Sequence, residues 1–191
     1  MPDDPFAHPA TLTTTRLLIR SMQAADAEAM WTLKSNPEVT RQYGQEPHRT
    51  IDETRAWVEK RLPIEGQRDS IFWVFSFHDA DTAIGECCLW NFDSGFHRAE
   101  VGYELNPGQW RKGVMSEVLS AILTHGFVDL GLHRIEANLL AINEPSMGLL
   151  LKLGFTHEGT LRQRHLFREH FVDQLYFGLL KDEWLARQAS A

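Results

Sequence analysis

The chain has 191 residues, the size of one ordinary domain, and 43% of them are hydrophobic, so we expect a folded globule rather than a disordered segment. Its net charge of −7 and its pI near 5.7 argue against a broad surface for nucleic acid or for an anionic membrane, whereas a local basic pocket is compatible with them. No apolar run is long enough to span a bilayer, and the first ten residues lack the apolar stretch of a signal peptide, so a cytoplasmic protein is expected.

The cysteines and histidines indicate neither a disulfide framework nor a metal site. Cys87 and Cys88 are adjacent, so on one strand they point to opposite faces and are poorly placed to bond each other. A reducing compartment fits this usage, and buried structural thiols are more common than acyl-carrying ones. The nine histidines show no His-Glu-x-x-His or comparable ligand spacing. We therefore predict no bound metal.

The first half of the chain predicts two helices followed by antiparallel strands. Residues 1–15 are expected to form a flexible tail, and residues 16–191 a single domain. Thr50 and Glu53 form a capping-box pattern that starts the second helix. The elements expected up to residue 107 are a strand over 16–22, a helix over 24–35, a polar loop over 36–49, a helix over 50–62, and strands over 70–78, 83–92 and 97–107.

The second half predicts helices and strands in alternation. Met115, Val118, Leu119 and Ile122 recur on one helical face, and Gly131 suits the end of that helix. The elements that follow are a strand over 134–140, a helix over 143–155 and a closing antiparallel pair over 156–167 and 172–180. The whole order indicates an α/β fold with a mixed, mostly antiparallel central sheet flanked by helices.

A basic, glycine-bearing elbow, QWRKGVM over residues 109–115, separates a strand from the next helix. A helix that starts directly after a strand presents unpaired N–H groups and the positive end of its dipole, which form a ready anion site. Gly113 lets the backbone approach an anion closely, and Arg111 and Lys112 add attraction. Val and Met follow Gly113 where a P-loop requires Lys and Ser or Thr, which disfavours a nucleoside-triphosphate site. The elbow suits phosphate or pyrophosphate, or else is an ordinary turn with surface cations.

The strand before the elbow carries a polar face. Glu100, Gly102 and Glu104 alternate onto this face, and the residues between them take the other. Pro107 cannot extend the ladder, so we expect the strand over 134–140 to part from this one beyond that point. Diverging strands leave backbone groups free to pair with an extended ligand that contains amides. An anion at the elbow and an amide chain in the gap together describe coenzyme A.

With these pieces in place, the sequence resembles the GNAT acetyltransferase superfamily, particularly its branch of ribosomal-protein N-terminal acetyltransferases. The resemblance covers nearly the whole chain, and it is specific in the order and spacing of its pieces rather than in any one of them. The matching pieces are SNPEVTRQYG, HRAEVGYELNPGQWRKGVMSEVL, NEPSMGLLLKLGF, HEGTLR and a final hairpin that contains Asp173. The resemblance implies the GNAT fold and an N-acetyltransferase that uses acetyl-CoA as co-substrate.

The resemblance also implies which residues hold the co-substrate. Backbone amides of the elbow would bind the CoA diphosphate, the preceding strand would pair with pantetheine, and two residues at the start of the helix over 143–155 would contact CoA or its thioester. The residues implied are Tyr103, Glu104, Leu105, Trp110, Arg111, Lys112, Gly113, Val114, Met115, Asn143 and Ser146. Met115 is larger than the family's Gly or Ala and is expected to narrow the room near the diphosphate. From the residues alone, a helix cap is the favoured interpretation of Asn143 and Ser146.

The expected reaction is direct attack of an amine on the acetyl-CoA thioester, through a tetrahedral oxyanion. An α-amine has an ordinary pKa of about 7.7–8 and is partly neutral at cellular pH, whereas a lysine at about 10.4 is mostly protonated. Glu100, through water, is the first candidate for the base and Glu104 the second, with solvated strand carboxylates as the alternative for either. Many family members carry a tyrosine acid where this chain has Leu150, so Ser146 or water must serve as the acid.

Three functions stay open on the sequence alone. The first is acetylation of a protein N-terminal α-amine, and the second is acetylation of a small amine such as a polyamine, an amino acid or an aminoglycoside. The third is a CoA-binding sensor without turnover. Trp31, Tyr43 and Trp57 could line the acceptor groove, although core packing is favoured for the two tryptophans. No direct nucleic-acid or membrane partner is expected, and a homodimer fits enzymes of this type.

Overall fold

A computed structural model of the chain describes residues 4–66, 69–93, 95 and 97–189. Residues 1–3 of the expected tail and residues 190–191 of the expected domain lie outside the described residues. The strands are β1 (Leu12–Thr13), β2 (Leu17–Ser21), β3 (Ser70–Phe77), β4 (Gly85–Trp90), β5 (Arg98–Leu105), β6 (Arg134–Leu140), β7 (Thr156–Phe167) and β8 (His170–Leu180). The helices are α1 (Ala27–Lys34), α2 (Pro37–Thr40), α3 (Ile51–Glu59), α4 (Val114–Thr124), α5 (Glu144–Leu153) and α6 (Lys181–Ala189).

The described strands form one sheet in the order β1-β2-β3-β4-β5-β6-β8-β7. β5 and β6 run parallel, and each of the other neighbouring pairs is antiparallel. A parallel pair needs a long crossover between its strands, and α4 supplies it here. The mixed, mostly antiparallel sheet that the sequence predicts is confirmed.

Helices cover both faces of the sheet, because the strands alternate apolar side chains between the two faces. Ile71, Trp73 and Phe75 of β3 pack into the larger core, to which α4, α5 and α6 contribute apolar residues. Phe72 and Val74, on the opposite face of β3, pack with α1 and α3. The helical face of α4 predicted from its spacing is buried as expected. The sheet therefore separates an α4–α5 side from an α1–α3 side.

The segment expected to be a flexible tail lies against the sheet over its described residues. Phe6 is buried in the larger core, and β1 pairs with β2. The Trp73 indole donates a hydrogen bond to the Ala10 carbonyl at 2.9 Å, and the Thr14 hydroxyl donates to Glu117 of α4 at 2.6 Å. The tail prediction therefore needs correction, since one buried aromatic and a short strand hold this segment in place.

Two helices were missed, and one expected helix starts differently. Asn36 caps α2 by accepting a hydrogen bond from the Glu38 N–H at 2.8 Å, and Pro37 takes the first helical position, so part of the expected polar loop is helical. α6 was missed because its four apolar or aromatic positions are dispersed among charges, and only Trp184 is buried. The expected helix over 24–35 begins with a 3₁₀ turn before α1.

Candidate active site

A groove opens where β5 and β6 part. The two strands pair only from Arg98 to Glu100 on β5 and from Arg134 to Glu136 on β6. Beyond this point β5 stays paired with β4 and β6 with β8, so each strand is held by its outer neighbour and the right-handed twist of the sheet separates them. The parting expected beyond Pro107 therefore begins seven residues earlier in the chain, directly after Glu100. The resulting groove has a volume of about 1280 Å³.

The elbow enters this groove through an unusual backbone. Asn106 accepts a hydrogen bond from the Gly108 N–H at 2.9 Å and so caps a short 3₁₀ turn over Pro107–Gln109. Arg111 (φ 60°) and Gly113 (φ 74°) both adopt left-handed conformations before α4 begins at Val114. Such a run turns successive N–H groups toward one side and leads directly into the positive end of a helix dipole. The predicted anion-binding shape is therefore present in the backbone.

The side chains of the elbow mainly hold its own backbone. The Trp110 indole donates to the Leu105 carbonyl at 2.8 Å, and the Lys112 ammonium donates to the Gly108 carbonyl at 2.6 Å. Arg16 of the N-terminal segment donates to the Lys112 carbonyl at 3.1 Å. Arg111, by contrast, is exposed and lines the groove. Of the two expected cations, Arg111 is the one that lines the groove.

The structure gives a second reason for glycine at residue 113. A Cβ there would meet only the Arg16 guanidinium at 3.7 Å, an ordinary contact, so the chain does not crowd this residue, but its positive φ favours glycine. The Met115 side chain is 8% exposed and packs into the larger core, while it also borders the groove. Most of its side chain is therefore directed into the protein rather than into the groove.

The start of α5 brings a second group of predicted residues to the groove. The Asn143 carbonyl oxygen accepts from the Ser146 N–H at 3.2 Å, which is the helix cap that the sequence allows, and the Asn143 amide donates to the Gln42 carbonyl at 3.2 Å. The hydroxyls of Ser146 and Tyr103 lie 2.5 Å apart, and burial raises the pKa of Tyr103 to about 12. Leu150, one turn after Ser146, is fully buried and offers no proton.

Glu100 lies at the point of parting, held between two amides. The Asn91 side chain donates to one carboxylate oxygen and the Asn138 side chain to the other, both at 2.6 Å. Asn138 in turn accepts from the Gln174 amide at 2.7 Å, so β4, β5, β6 and β8 are linked across the sheet. Both asparagines line the groove. Glu100 is therefore fixed at the edge of the groove, and each carboxylate oxygen keeps a lone pair for water.

Glu104 is occupied differently from the expected free carboxylate. Its side chain is 10% exposed and pairs with the Lys34 ammonium of α1, which also reaches Glu86 of β4 at 3.4 Å. Burial raises the pKa of Glu86, and the nearby Lys34 opposes that effect. One oxygen of each carboxylate is buried without a hydrogen-bond partner among the described residues. The α1–α3 side of the groove thus holds a buried charge cluster of Lys34, Glu86 and Glu104.

Aromatic rings and a guanidinium enclose this charge cluster. The Lys34 ammonium lies 3.9 Å from the centre of the Trp57 ring and 5.5 Å from that of Tyr43. The Arg61 guanidinium also lies over aromatic rings, 3.8 Å from the centre of the Trp57 ring and 5.1 Å from that of Phe72. Tyr43 and Trp57 therefore do border the groove, as the sequence left open, and Trp57 also packs against the smaller core.

The residues missed from the sequence are Lys34, Glu86 and Arg61. Glu86 follows Gly85 and precedes two cysteines in a strand that is otherwise apolar, and a charge in such a strand signals a buried partner. Lys34 ends a helix whose other inward residues are apolar. Trp31, by comparison, is half-buried on α1 and is not among the described residues that line the groove.

Both cysteines lie inside the protein. Cys87 and Cys88 are both free and buried on opposite faces of β4, and burial raises the pKa of each thiol well above its usual range. Neither is a reactive thiolate in this environment.

Across the described residues, no group of three or more His, Cys, Asp or Glu side chains could hold a metal ion. No helix among them is long and apolar enough to cross a membrane.

The two sides of the groove suit different halves of one reaction. The α4–α5 side offers backbone N–H groups at the elbow and two hydroxyls, which suit a diphosphate and an acyl group. The α1–α3 side offers carboxylates and aromatic rings, which suit an amine. The unpaired edges of β5 and β6 between them suit an extended amide chain. A thioester on a pantetheine diphosphate, facing an amine, fits this arrangement.

Comparison with known proteins also indicates an acetyltransferase. The sequence profile described as Acetyltransferase (GNAT) domain matches residues 16–156. The uncharacterized N-acetyltransferase YoaA of Bacillus subtilis (strain 168) is 40% identical over 152 residues, which cover 80% of this chain and 86% of that protein. The [ribosomal protein uS5]-alanine N-acetyltransferase of Escherichia coli (strain K12) is 28% identical, covering 91% of this chain and 92% of that protein.

Among solved structures, the spermidine N-acetyltransferase from Vibrio cholerae in complex with CoA and spermine superposes with a TM-score of 0.80 at 20% identity, covering 90% of this chain and 99% of that chain. The fold and the groove thus define an acyltransferase. The chain belongs to the GNAT acetyltransferase family and is an N-acetyltransferase that depends on acetyl-CoA. The resemblance recognised from the sequence is confirmed.

Proposed function

We propose that this N-acetyltransferase acetylates the α-amine of a protein N-terminus by direct attack on acetyl-CoA. The observation that carries the proposal is the opening after Glu100, where the hydroxyl-bearing side of the groove meets the carboxylate-bearing side. An amine on one side and a thioester on the other would meet there without a covalent enzyme intermediate. The similarity to the [ribosomal protein uS5]-alanine N-acetyltransferase supports the choice of acceptor.

The charge of the acceptor side supports an α-amine over a polyamine. Two carboxylates, Glu86 and Glu104, are matched there by two cations, Lys34 and Arg61, which leaves Glu100 as the carboxylate of the proposed site that no cation pairs with among the described residues. A polyamine with several positive charges would need an excess of carboxylates. An α-amine, with an ordinary pKa of about 7.7–8, arrives partly neutral and needs no such excess.

Acetyl-CoA is proposed to bind through the elbow and the open edge of β5. The backbone of Trp110, Arg111, Lys112, Gly113, Val114 and Met115 would hold the diphosphate, and the edge of β5 over Tyr103–Leu105 would pair with pantetheine. The Leu105 carbonyl already accepts a hydrogen bond from the Trp110 indole. The pairing of pantetheine with β5 would therefore depend on the backbone groups that precede this carbonyl in the strand. Asn143 and Ser146 would border the thioester.

The proton of the attacking amine is proposed to pass to Glu100 through water. Glu100 lies at the parting of the strands and keeps free lone pairs, although two amides hold it. Glu104, the second candidate, is paired with Lys34 and nearly fully buried, which makes it the weaker candidate for proton exchange with water. Both carboxylates lie on the side of the groove proposed for the acceptor, which is where the attacking amine would lose its proton.

A thiol-release assay with acetyl-CoA tests the acceptor directly. Peptides with a free Ala or Ser N-terminus, the same peptides with a blocked N-terminus, and a panel of polyamines, amino acids and aminoglycosides serve as acceptors. We expect release with the free peptides only. Release with a small amine alone would replace the acceptor, and CoA binding without release on any acceptor would indicate a sensor.

A further inference from the structure

The Tyr103–Ser146 hydroxyl pair joins a strand to a helix across the groove. Tyr103 extends from β5, and Ser146 lies in the first turn of α5, 43 residues later in the chain. Both residues are half-buried and line the groove. Their oxygens lie 2.5 Å apart, which is a short O–H···O hydrogen bond.

A pair of hydroxyls always has a hydrogen left over. Two O–H groups use one hydrogen in the bond between them, so the other stays available to a third atom. A phenol is more acidic than an aliphatic alcohol and is the better donor, so Tyr103 donates to Ser146 and the serine hydrogen is the free one. Burial raises the pKa of Tyr103 to about 12, so the phenol keeps its proton throughout the neutral range. The pair therefore presents a donor into the groove at any working pH.

Among the neighbouring groups, the Asn143 amide has one of its two N–H groups bonded to the Gln42 carbonyl, and Leu150, one turn further on, is apolar. The Ser146 N–H is used by the Asn143 side chain. The positive end of the α5 dipole, however, lies at Ser146 and favours negative charge nearby. The serine hydroxyl is thus placed where a developing anion would be stabilised.

We infer that Tyr103 is a positioning residue that turns the Ser146 hydroxyl toward the departing sulfur of the acyl donor. As the amine forms its bond to the acyl carbon, the carbon–sulfur bond breaks and its electron pair passes to sulfur. Ser146 donates a hydrogen bond to that thiolate, which then takes a proton from water. The amine gives its proton to Glu100 through water, and Glu100 returns that proton to the hydroxide left when water protonates the thiolate, so no proton leaves the hydroxyl pair. This inference rests on the proposed direct attack, but only on its acyl-donor half.

Because the thiol of CoA can be titrated without any acceptor, the inference has a test apart from turnover. The thiol pKa of bound CoA is measured from the ultraviolet absorbance of its thiolate, as the difference between protein with and without CoA. A donor facing the sulfur lowers that pKa, so we expect it to rise by about 1 in Ser146→Ala, and by less in Tyr103→Phe. Tyr176→Phe, which removes an exposed phenol from β8, is the matched control and leaves it unchanged.

Turnover supplies the second readout. With an active amine acceptor, kcat should fall about 100-fold in Ser146→Ala and about 10-fold in Tyr103→Phe. The double variant should be no slower than Ser146→Ala, because Tyr103 acts through the serine. CoA affinity should stay within about twofold of wild type in both, which separates a role in the reaction from a loss of the groove.

The outcomes separate the inference from the proposed function. An unchanged thiol pKa of bound CoA in Tyr103→Phe, or a kcat within about twofold of wild type, overturns the positioning role. Wild-type protein that releases no CoA with any amine counts against the proposed function, while the thiol pKa still decides on the hydroxyl pair. A thioester of a more acidic thiol should shrink the effect of both variants, since a better leaving group needs less stabilisation.

Discussion

Glu100 is held by two amides, and this determines what a substitution at that residue measures. Asn91 and Asn138 donate to its two carboxylate oxygens, so a neutral glutamine could keep one of these hydrogen bonds and the side-chain volume. What glutamine cannot do is accept a proton. The substitution is therefore closer to a test of chemistry than of structure.

We expect Glu100→Gln to lower kcat about 100-fold while the affinity for CoA stays nearly the same. The physical reason is that the amine loses its proton acceptor, whereas the elbow and β5 remain intact. Steady-state kinetics with a peptide acceptor and a CoA titration measure the two effects. Glu38→Gln, at an exposed position on α2, is the control, and retained turnover in Glu100→Gln would assign the proton to another group.

At the scale of single elements, the turn into α4 depends on one glycine whose backbone only glycine adopts readily. Gly113 has φ 74° and lies at the groove, and Gly131 has φ 72° beyond the other end of the same helical segment. A Cβ on Gly131 would meet nothing within 4 Å. The two glycines thus share a backbone conformation but differ in their distance from the groove.

Both Gly113→Ala and Gly131→Ala should lower the free energy of unfolding by about 1 kcal/mol, because each forces alanine into a left-handed conformation. Only Gly113→Ala should weaken CoA binding, by about tenfold, since its Cβ would lie where the diphosphate is proposed to bind. Urea unfolding and CoA titration measure the two quantities. Equal CoA affinity in the two variants would place the diphosphate away from the elbow.

The N-terminal segment and α4 are held together by one carboxylate. Burial opposes the charge on Glu117, but hydrogen bonds from the Thr14 hydroxyl and from the backbone and side chain of Arg16 outweigh burial and lower the pKa of Glu117. A carboxylate with a lowered folded pKa stabilises the fold above its unfolded pKa of about 4.3. That contribution is lost as the pH falls through the lower, folded value.

Glu117→Gln should therefore be less stable than wild type by about 1 kcal/mol at pH 7, and the difference should shrink as the pH falls below about 4. Urea unfolding at pH 7, 4 and 3 gives the comparison. Glu28→Gln, which removes one partner of an exposed pair with Arg55, should show little difference at any of these pH values. A difference in the free energy of unfolding that is as large at pH 3 as at pH 7 would count against the charged hydrogen bonds as its cause.

At the scale of the whole molecule, the buried charge cluster ties helix α1 to the middle of the sheet. Lys34 pairs with Glu86 and Glu104, and all three side chains are nine-tenths buried or more. A buried ion pair adds little net stability over apolar packing, but a charge left alone in such a place is costly. The cluster therefore makes the acceptor side of the groove sensitive to the loss of any one member.

Lys34→Met should lower the free energy of unfolding by about 3–5 kcal/mol, because it removes the ammonium that pairs directly with two buried carboxylates and leaves only the more distant Arg61 guanidinium. Adding Glu86→Gln and Glu104→Gln should recover more than half of that loss. Lys60→Met, at an exposed position, should change stability by about 0.5 kcal/mol or less. Guanidinium unfolding measures all of these variants, and a small loss in Lys34→Met alone would mean that water reaches the carboxylates.

Local sequence patterns predicted most of the fold. The strands β6 and β7 begin and end where alternation and turn residues placed them, and the buried face of α4 follows its helical spacing. The tail and α6 were mispredicted because each depends on a single buried aromatic, Phe6 or Trp184, which no periodicity reveals. The elbow was found because glycine, cations and a helix start are neighbours in the chain.

The candidate site, like the fold, was predicted only in part from the sequence. The sequence by itself determined the class of protein, the elbow and the polar face of β5, since these are written in consecutive residues whose faces follow from the strand and helix periods. Only the tertiary structure decided where β5 and β6 part, that Tyr103 meets Ser146, and that Glu104 belongs to Lys34 and Glu86. The physical reason is that such contacts join residues far apart in the chain, and their geometry is set by how the helices pack on a twisted sheet rather than by any local preference.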